Sequence, residues 1–404
     1  MKGLYKILVK SILLILALCL MAANISFAED AETVEDAFRN GTFSGTIGSY
    51  YEFVNRDADS TDDGWATAYI TLKYETLSWK QLKMGARFFA HGQLYSDDDD
   101  GVTDPFDVDI ESKYTLPELY LNFALTEASS VTVGRWDHLK ITHIDDNQSE
   151  GAYVQMKEIE GLDVVAGFMR RFAEIDYDDG EDFGRKGNAQ DLDSEATYGP
   201  GSGAYLYFLE GTYKGIDMLT FNPYVMYQND YASVYGIDTK IEKKFEKPEL
   251  TLGSDVSYYH VDADIADSGD ANNYSVVPFV KKGPVYLNVG YTRFDDGNAL
   301  NRPPWLKEYL FTVDQYATYA SADSEVISGK LKLTFGDFWT HFVFADSNYA
   351  MAAGRGDGSQ EYELQFGCKL FKNLDLNVRL FDVQFDNVDD RDYQKIESHI
   401  HFDF

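Results

Sequence analysis

Ile396-Glu397-Ser398-His399-Ile400-His401-Phe402-Asp403-Phe404 alternates without a break. Ile396, Ile400, Phe402 and Phe404 share one face with the small Ser398. Glu397, His399, His401 and Asp403 share the other. A period of two is a β-strand with one apolar side and one wet side. A long strand of this kind that reaches the end of a sheet needs a partner edge to hide its backbone groups.

Working backwards from this strand, the chain reads as strand after strand from Thr42 onward, with no long 3.6-period segment. Tight turns fall near Leu77–Leu82, Glu127–Ser130, Ile159–Leu162, Gly215–Asp217, Phe245–Glu249, Lys281–Pro284, Gly336–Asp337 and Lys372–Asn373. All but Glu127–Ser130 contain Gly, Asn, Pro or Lys, as hairpin turns should. Between them lie polar, mostly longer connections near 55–63, 95–113, 139–149, 174–203, 229–232, 262–273, 295–325, 346–358 and 386–392. Eight turns and nine loops make about 18 strands, an even number with both ends on one side; sixteen is the alternative count. The fold class expected is all-β, a transmembrane antiparallel β-barrel over 42–404, with short turns at one rim and long loops at the other. A strand ending on Phe402 and Phe404 looks like the closing strand and assembly signal of such a barrel.

The two faces can be assigned strand by strand. Ala66, Ala68, Ile70, Leu72 and Tyr74 alternate with Thr67, Tyr69, Thr71, Lys73 and Glu75; Leu119, Leu121 and Phe123 alternate with Glu118, Tyr120 and Asn122. Ile327, Leu331, Leu333 and Phe335 alternate with Ser328, Lys330, Lys332 and Thr334. The first set of each pair suits lipid and the second suits water. Aromatics near strand ends form two expected interfacial girdles: Tyr74, Trp79, Tyr213, Phe338, Trp339 and Phe371 by the turns, Trp65, Tyr227 and Tyr231 by the loops. A soluble β-sandwich also alternates, but it seldom needs so many strands with alternating connection lengths.

The amino-terminal region agrees with export. Lys2, Lys6 and Lys10 precede an apolar run from Ile12 to Ala23, and Ser26-Phe27-Ala28 supplies a cleavage pattern, so 1–28 reads as a signal peptide. The run is too short for a spanning helix. Cys19 follows Leu18 rather than the small residue that a lipidation signal wants. Residues 29–41 form a periplasmic lead-in with a helical turn around Val34, Ala37 and Phe38. Losing three lysines takes the formal net charge from −33 to −36, which argues against nucleic acid. Cys368 alone survives processing, so no intrachain disulfide can form. The localisation expected is the bacterial outer membrane. The partners expected are its lipid and lipopolysaccharide and the barrel-assembly machinery, with a homotrimer as a possible assembly.

A barrel this wide cannot fill its interior with side chains alone. Its wet face should therefore line a channel, and Lys73, Arg87, Glu118, Arg171, Asp238, Lys240, Lys330, Lys332 and Arg379 are the candidate pore-lining charges. Rows of opposite charge in a pore orient polar solutes and set ion selectivity. Arg135, in Val133-Gly134-Arg135-Trp136, would face lipid by strict parity; a bulge at Gly134 is expected to turn it inward. Arg87, Arg135 and Arg171 together would form the basic side of a constriction. The loops are acidic, and Asp97, Asp98, Asp99 and Asp100 are calcium candidates, weighed against a solvated rim that simply enriches cations. The stretch Leu300 to Phe311 is too apolar for a fully exposed loop and should pack in the barrel mouth or on a neighbour. His399 and His401 lie two apart and could share a metal, although wet wall residues describe them more simply. No Gly-x-Ser-x-Gly or His-Glu-x-x-His motif occurs, so no enzyme and no required cofactor are expected. The function expected is a passive diffusion channel preferring cations; the rival readings are a non-conducting structural or adhesin barrel and a barrel enzyme acting at its rim.

One family resemblance supports this. Val34-Glu35-Asp36-Ala37-Phe38-Arg39-Asn40-Gly41-Thr42-Phe43-Ser44-Gly45, Leu72-Lys73-Tyr74-Glu75-Thr76, Val133-Gly134-Arg135 and Ala166-Gly167-Phe168-Met169-Arg170-Arg171-Phe172 resemble the Opr-type porins, related to the OprD porins and to Campylobacter-like major outer-membrane proteins. The resemblance implies an eighteen-stranded barrel, often trimeric, passing ions and small polar solutes. The extreme acidity and Trp136 depart from that pattern.

Overall fold

The computed structural model describes residues 31–56, 63–96, 113–137, 143–144, 148–173, 190–191, 205–229, 231–263, 270–295, 306, 323–348, 358–386 and 392–404. The signal-peptide reading of 1–28 and the calcium candidates Asp97 to Asp100 lie outside them. Among the described residues a single helix, α1 (Val34–Arg39), stands in the lead-in, where the Thr33 hydroxyl accepts from the Asp36 N–H as its cap.

The wall follows at once. β1 (Thr42–Arg56), β2 (Asp63–Glu75), β3 (Leu82–Ser96), β4 (Lys113–Ala124), β5 (Ser129–Trp136), β6 (Gln148–Met156) and β7 (Leu162–Ala173) run in sequence. β8 (Gln190–Asp191) is a two-residue strand paired with the end of β7. β9 (Leu206–Ile216), β10 (Leu219–Gln228), β11 (Ala232–Phe245), β12 (Leu250–Ala263), β13 (Ala271–Lys282) and β14 (Val285–Phe294) continue the wall. β15 (Ser324–Phe335), β16 (Phe338–Asn348), β17 (Gly358–Phe371), β18 (Leu374–Phe385) and β19 (Tyr393–Asp403) complete it. Every pairing is antiparallel between neighbours, β7 pairs onward to β9, and β19 returns to β1. Setting β8 aside, these strands make a closed 18-strand barrel, as the turn-and-loop count predicts. All eight tight turns lie at the rim that holds α1 and Phe404.

Closure follows from what each face would cost if left open. Ile47, Leu121, Val133, Ile237, Leu287, Ile327, Phe342 and Ile400 all point outward and are exposed. A soluble protein does not present such a continuous apolar belt. In hydrocarbon it is required, and every backbone N–H and C=O must then find a partner within the sheet. Among the described residues no helix is long and apolar enough to cross a membrane; the strands do the crossing.

Outward aromatics mark both rims. Tyr51, Tyr114, Tyr235, Tyr274 and Tyr291 stand towards the loops, and Phe43, Phe245, Phe335, Phe338 and Phe371 towards the turns. Three residues assigned to the girdles turn inward instead. Trp65 opposes Glu52 and packs on Tyr50 at 4.9 Å. Trp339 opposes Gly367, and Tyr231 is buried in an interior cluster. Proximity to a strand end made them look interfacial, but parity decides the side.

The interior aromatics rest on glycines of the adjacent strand. An added Cβ at Gly367 would lie 2.2 Å from the indole of Trp339, and one at Gly85 2.3 Å from the ring of Tyr120. Such cover protects a backbone that has no side chain of its own. Gly367→Ala is expected to push the indole away at a cost of about 1–3 kcal/mol, read as a lowered urea midpoint for unfolding from liposomes.

Candidate functional site

The lumen wall divides into three sectors. The first runs from β17 across the β19–β1 seam to β5 and is a chain of paired charges. Arg379 Nε donates to Glu363 at 3.1 Å and its Nη1 to Glu397 at 3.1 Å. Lys395 binds Glu397 at 2.6 Å and Glu52 at 2.9 Å, while the Tyr50 hydroxyl donates to Glu52 at 2.7 Å. Beyond the seam, Glu118 takes Lys73 at 3.1 Å and Arg87 at 2.8 Å, and Arg87 also reaches Asp137 at 3.4 Å. Glu363, Glu397, Glu52 and Glu118 are buried. Carboxylates so placed stay favourable only with a cation beside each, and each of these four has one.

The second sector is basic. Lys281 on β13 and Lys332 on β15 both oppose Tyr286 on β14, and Lys330 follows two residues along β15. No carboxylate among the described residues lies within ion-pair distance of these three lysines. Lys332 lies 5.7 Å over the Trp339 ring and opposes His341. Wall charges left without counter-charges act on solutes, whereas paired charges mostly cancel.

The third sector is where chain from the loop rim enters the barrel. Ile144 and Leu306 form an isolated antiparallel bridge, and both are buried. They pack with inward residues of the wall, among them Met169, Leu206, Phe208, Met226, Val234 and Tyr259. The expectation that the apolar loop segment packs in the barrel mouth holds at Leu306, the one residue of 296–322 within the described set.

Beside that bridge sits His143. Its main-chain N–H donates to both carboxylate oxygens of Glu210, at 2.8 and 3.0 Å. Its Nδ1 lies 2.7 Å from Glu210 and its Nε2 2.8 Å from Asp238. The ring stacks on Tyr224 at 3.7 Å and 18°. Glu210, Tyr224 and Asp238 come from β9, β10 and β11, brought level by the registers Tyr224↔Glu210 and Asn222↔Asp238. Burial alone would lower the imidazole pKa, but the two carboxylates outweigh it and hold the group up at about 9. At neutral pH both ring nitrogens therefore donate, and a charged latch pins this loop to the wall.

Most of the charges picked from the sequence thus face the lumen. Lys73, Arg87 and Glu118 form one cluster, Arg379 joins the chain across the seam, and Lys330 and Lys332 stand in the basic sector. Asp238 holds the latch. Lys240 pairs with Glu242 at 3.5 Å near the turns. Arg135 and Arg171 do not join them. No register shift occurs at Gly134: Arg135 simply opposes Leu119 and Glu150, so parity prevails and it faces outward. The shift lies instead on β7, where Glu150 opposes Arg171 and Gly151 opposes Met169, which sets Arg171 opposite Glu150. Of the three arginines expected at a constriction, Arg87 is the one that pairs within the charged sector, with Glu118 and Asp137. His399 donates to or accepts from Tyr69 at 2.6 Å; among the described residues the group close enough to share an ion is Asp375, His401 and Asp403, rather than His399 with His401.

A closed barrel with an apolar belt outside and a charged interior defines a transmembrane β-barrel, whose strands do the crossing. Solved structures share this architecture. Acinetobacter baumannii OccAB1 is 12% identical with a TM-score of 0.73, covering 94% of this chain and 99% of its own. A BenF-like porin from Pseudomonas fluorescens Pf-5 is 15% identical with a TM-score of 0.72, covering 91% and 99%. Pseudomonas aeruginosa OccK8 (OprE) is 12% identical with a TM-score of 0.71, covering 91% and 98%. At these identities the likeness establishes the fold. No protein-family profile and no curated sequence matches the chain.

Proposed function

We propose that this protein is an outer-membrane porin, a passive diffusion channel for ions and small polar solutes. The observation that carries this is the lumen wall: an inward face rich in charged and hydroxylated side chains, apolar where Ile144 and Leu306 pack, inside a barrel whose outward face is apolar. A barrel serving only as scaffold has no need for buried charge chains such as Glu363–Arg379–Glu397–Lys395–Glu52.

Two fields compete over selectivity. The net charge of −33 is massed in the loops and enriches cations at the mouth; Lys281, Lys330 and Lys332 favour anions within. The mouth acts over a Debye length, roughly 30 Å at 0.01 M salt and about 3 Å at 1 M. Cation preference is therefore expected in dilute salt and should fade as salt rises. Lys330→Gln with Lys332→Gln should move the reversal potential further towards cations at both ends of that range. Planar-bilayer recordings in asymmetric salt test this, and an unchanged potential in the double variant would return the two lysines to mere wall solvation.

The buried Ile144–Leu306 bridge favours one rival, a plugged non-conducting barrel. It predicts no unitary current at any voltage, in the same recording.

A further inference from the structure

Three inward side chains converge at the turn end of the closing seam. Asp375 on β18 opposes His401 on β19, and Asp403 follows His401 two residues along the same lumen face. One ligating atom from each of the three lies within 4.8 Å of the other two. Neither ring nitrogen of His401 is committed to a hydrogen bond. Its Nδ1 is shut off from solvent and has no partner, and its Nε2 stands 3.7 Å from Asp375 Oδ2, beyond hydrogen-bond reach. Asp403 is held from across the seam, where the Thr46 hydroxyl of β1 donates to its Oδ1 at 2.7 Å. His399, one step along the same face, is already engaged with the Tyr69 hydroxyl.

We infer that Asp375, His401 and Asp403 bind a divalent transition-metal ion of the zinc class, which ties β18 to β19 where the barrel closes. Two ligands at about 2.0–2.2 Å from one tetrahedral ion stand roughly 3–4 Å apart, which is the separation between His401 and Asp375. Charge argues the same way. Among the described residues neither carboxylate has a lysine or arginine within ion-pair distance; Lys369 opposes Asp375 in the β17–β18 register but forms no ion pair with it. A single imidazolium would match one carboxylate and leave the other, whereas a divalent ion matches both. One imidazole with two carboxylates suits zinc, while calcium and magnesium take oxygen ligands. The Thr46 bond fixes one oxygen of Asp403 and leaves the other to the ion, the orienting part that outer hydrogen bonds play at metal sites. Asp375 and His401 are half-buried, so water from the lumen can fill the remaining positions.

The inference rests on the strand register at the seam, not on conduction. Zinc titration of the full chain, folded in detergent and stripped with EDTA, in competition with a chromophoric chelator tests it. The wild type is expected to take up one zinc ion that calcium displaces only at about a hundredfold excess or more. His401→Gln should weaken that zinc by about tenfold or more. Zinc should also raise the temperature at which the wild-type folded band is lost on semi-native gels, EDTA should reverse the rise, and Asp375→Asn should show none. Absence of a saturable zinc site in the wild type, which needs no variant to fold, would overturn the assignment. So would equal zinc uptake by His401→Gln, since the ion would then sit on the acidic loops, or a wild-type band whose loss temperature ignores zinc. Because metal uptake and heat resistance are the readouts, failure here leaves the channel reading standing.

Discussion

Removing residues 393–404 is expected to abolish the folded barrel. β19 holds both edges of the closure: eleven register pairs join it to β1, from Thr46↔Asp403 to Arg56↔Tyr393, and it pairs along its length with β18. Without it, the facing edges of β1 and β18 expose a row of N–H and C=O groups to hydrocarbon, each costing several kcal/mol. No rearrangement of the remaining odd number of strands restores antiparallel closure. Deleting Phe404 alone should have a smaller but clear effect. Its N–H and C=O exchange bonds with Gly45 at 3.0 Å, and its ring covers the spot where Gly45 lacks a side chain, beside Phe43. The measurement is the heat-modifiable band on semi-native gels, together with protease resistance in isolated membranes. Wild-type amounts of folded barrel after the larger deletion would refute the assignment of β19 as the closing strand.

Replacing His143 with Ala should release loop chain from the lumen wall. The change removes the imidazolium and leaves Glu210, only 2% exposed, with a buried charge and its main partner gone. Breaking a buried pair in this way costs about 3–5 kcal/mol, enough to weaken the hold of this segment on the wall. A several-fold rise in unitary conductance is expected, with new protease sensitivity at residues 137–147. Glu210→Gln should act in the same direction but more weakly, since the amide still accepts from the His143 main chain. The wild type should show the effect through pH. The latch pKa is raised from 6.5 to about 9, so its stabilisation is complete below pH 6.5, declines between 6.5 and 9, and is lost above. Conductance should rise across that window in the wild type and stay flat in the alanine variant. A flat wild-type profile would show that the loop is held by the Ile144–Leu306 bridge instead.

The sequence by itself determined the barrel, because each wall residue must satisfy a local rule. A side chain either meets lipid or meets water, and a period of two records which. Strand number, turn positions, the seam at Phe404 and the lumen placement of Lys73, Glu118, Lys330, Lys332 and Arg379 all follow from that rule without knowledge of any distant contact. Arg135 shows how far the rule holds: parity alone placed it correctly outward, and the inward bulge invoked to spare it from lipid does not form.

Only the tertiary structure decided what depends on chain meeting chain across the lumen. His143 stands 67 residues from Glu210 and 95 from Asp238, and no spacing links a loop histidine to carboxylates on two other strands. The register shift on β7 that moves Arg171 is equally silent in the letters Met169-Arg170-Arg171, since an extra residue is defined only against its partner strand. The same holds for the neutralised and basic sectors. Whether a lysine acts on a passing ion depends on which carboxylate sits within about 4 Å of it, and strand closure around a barrel sets that distance.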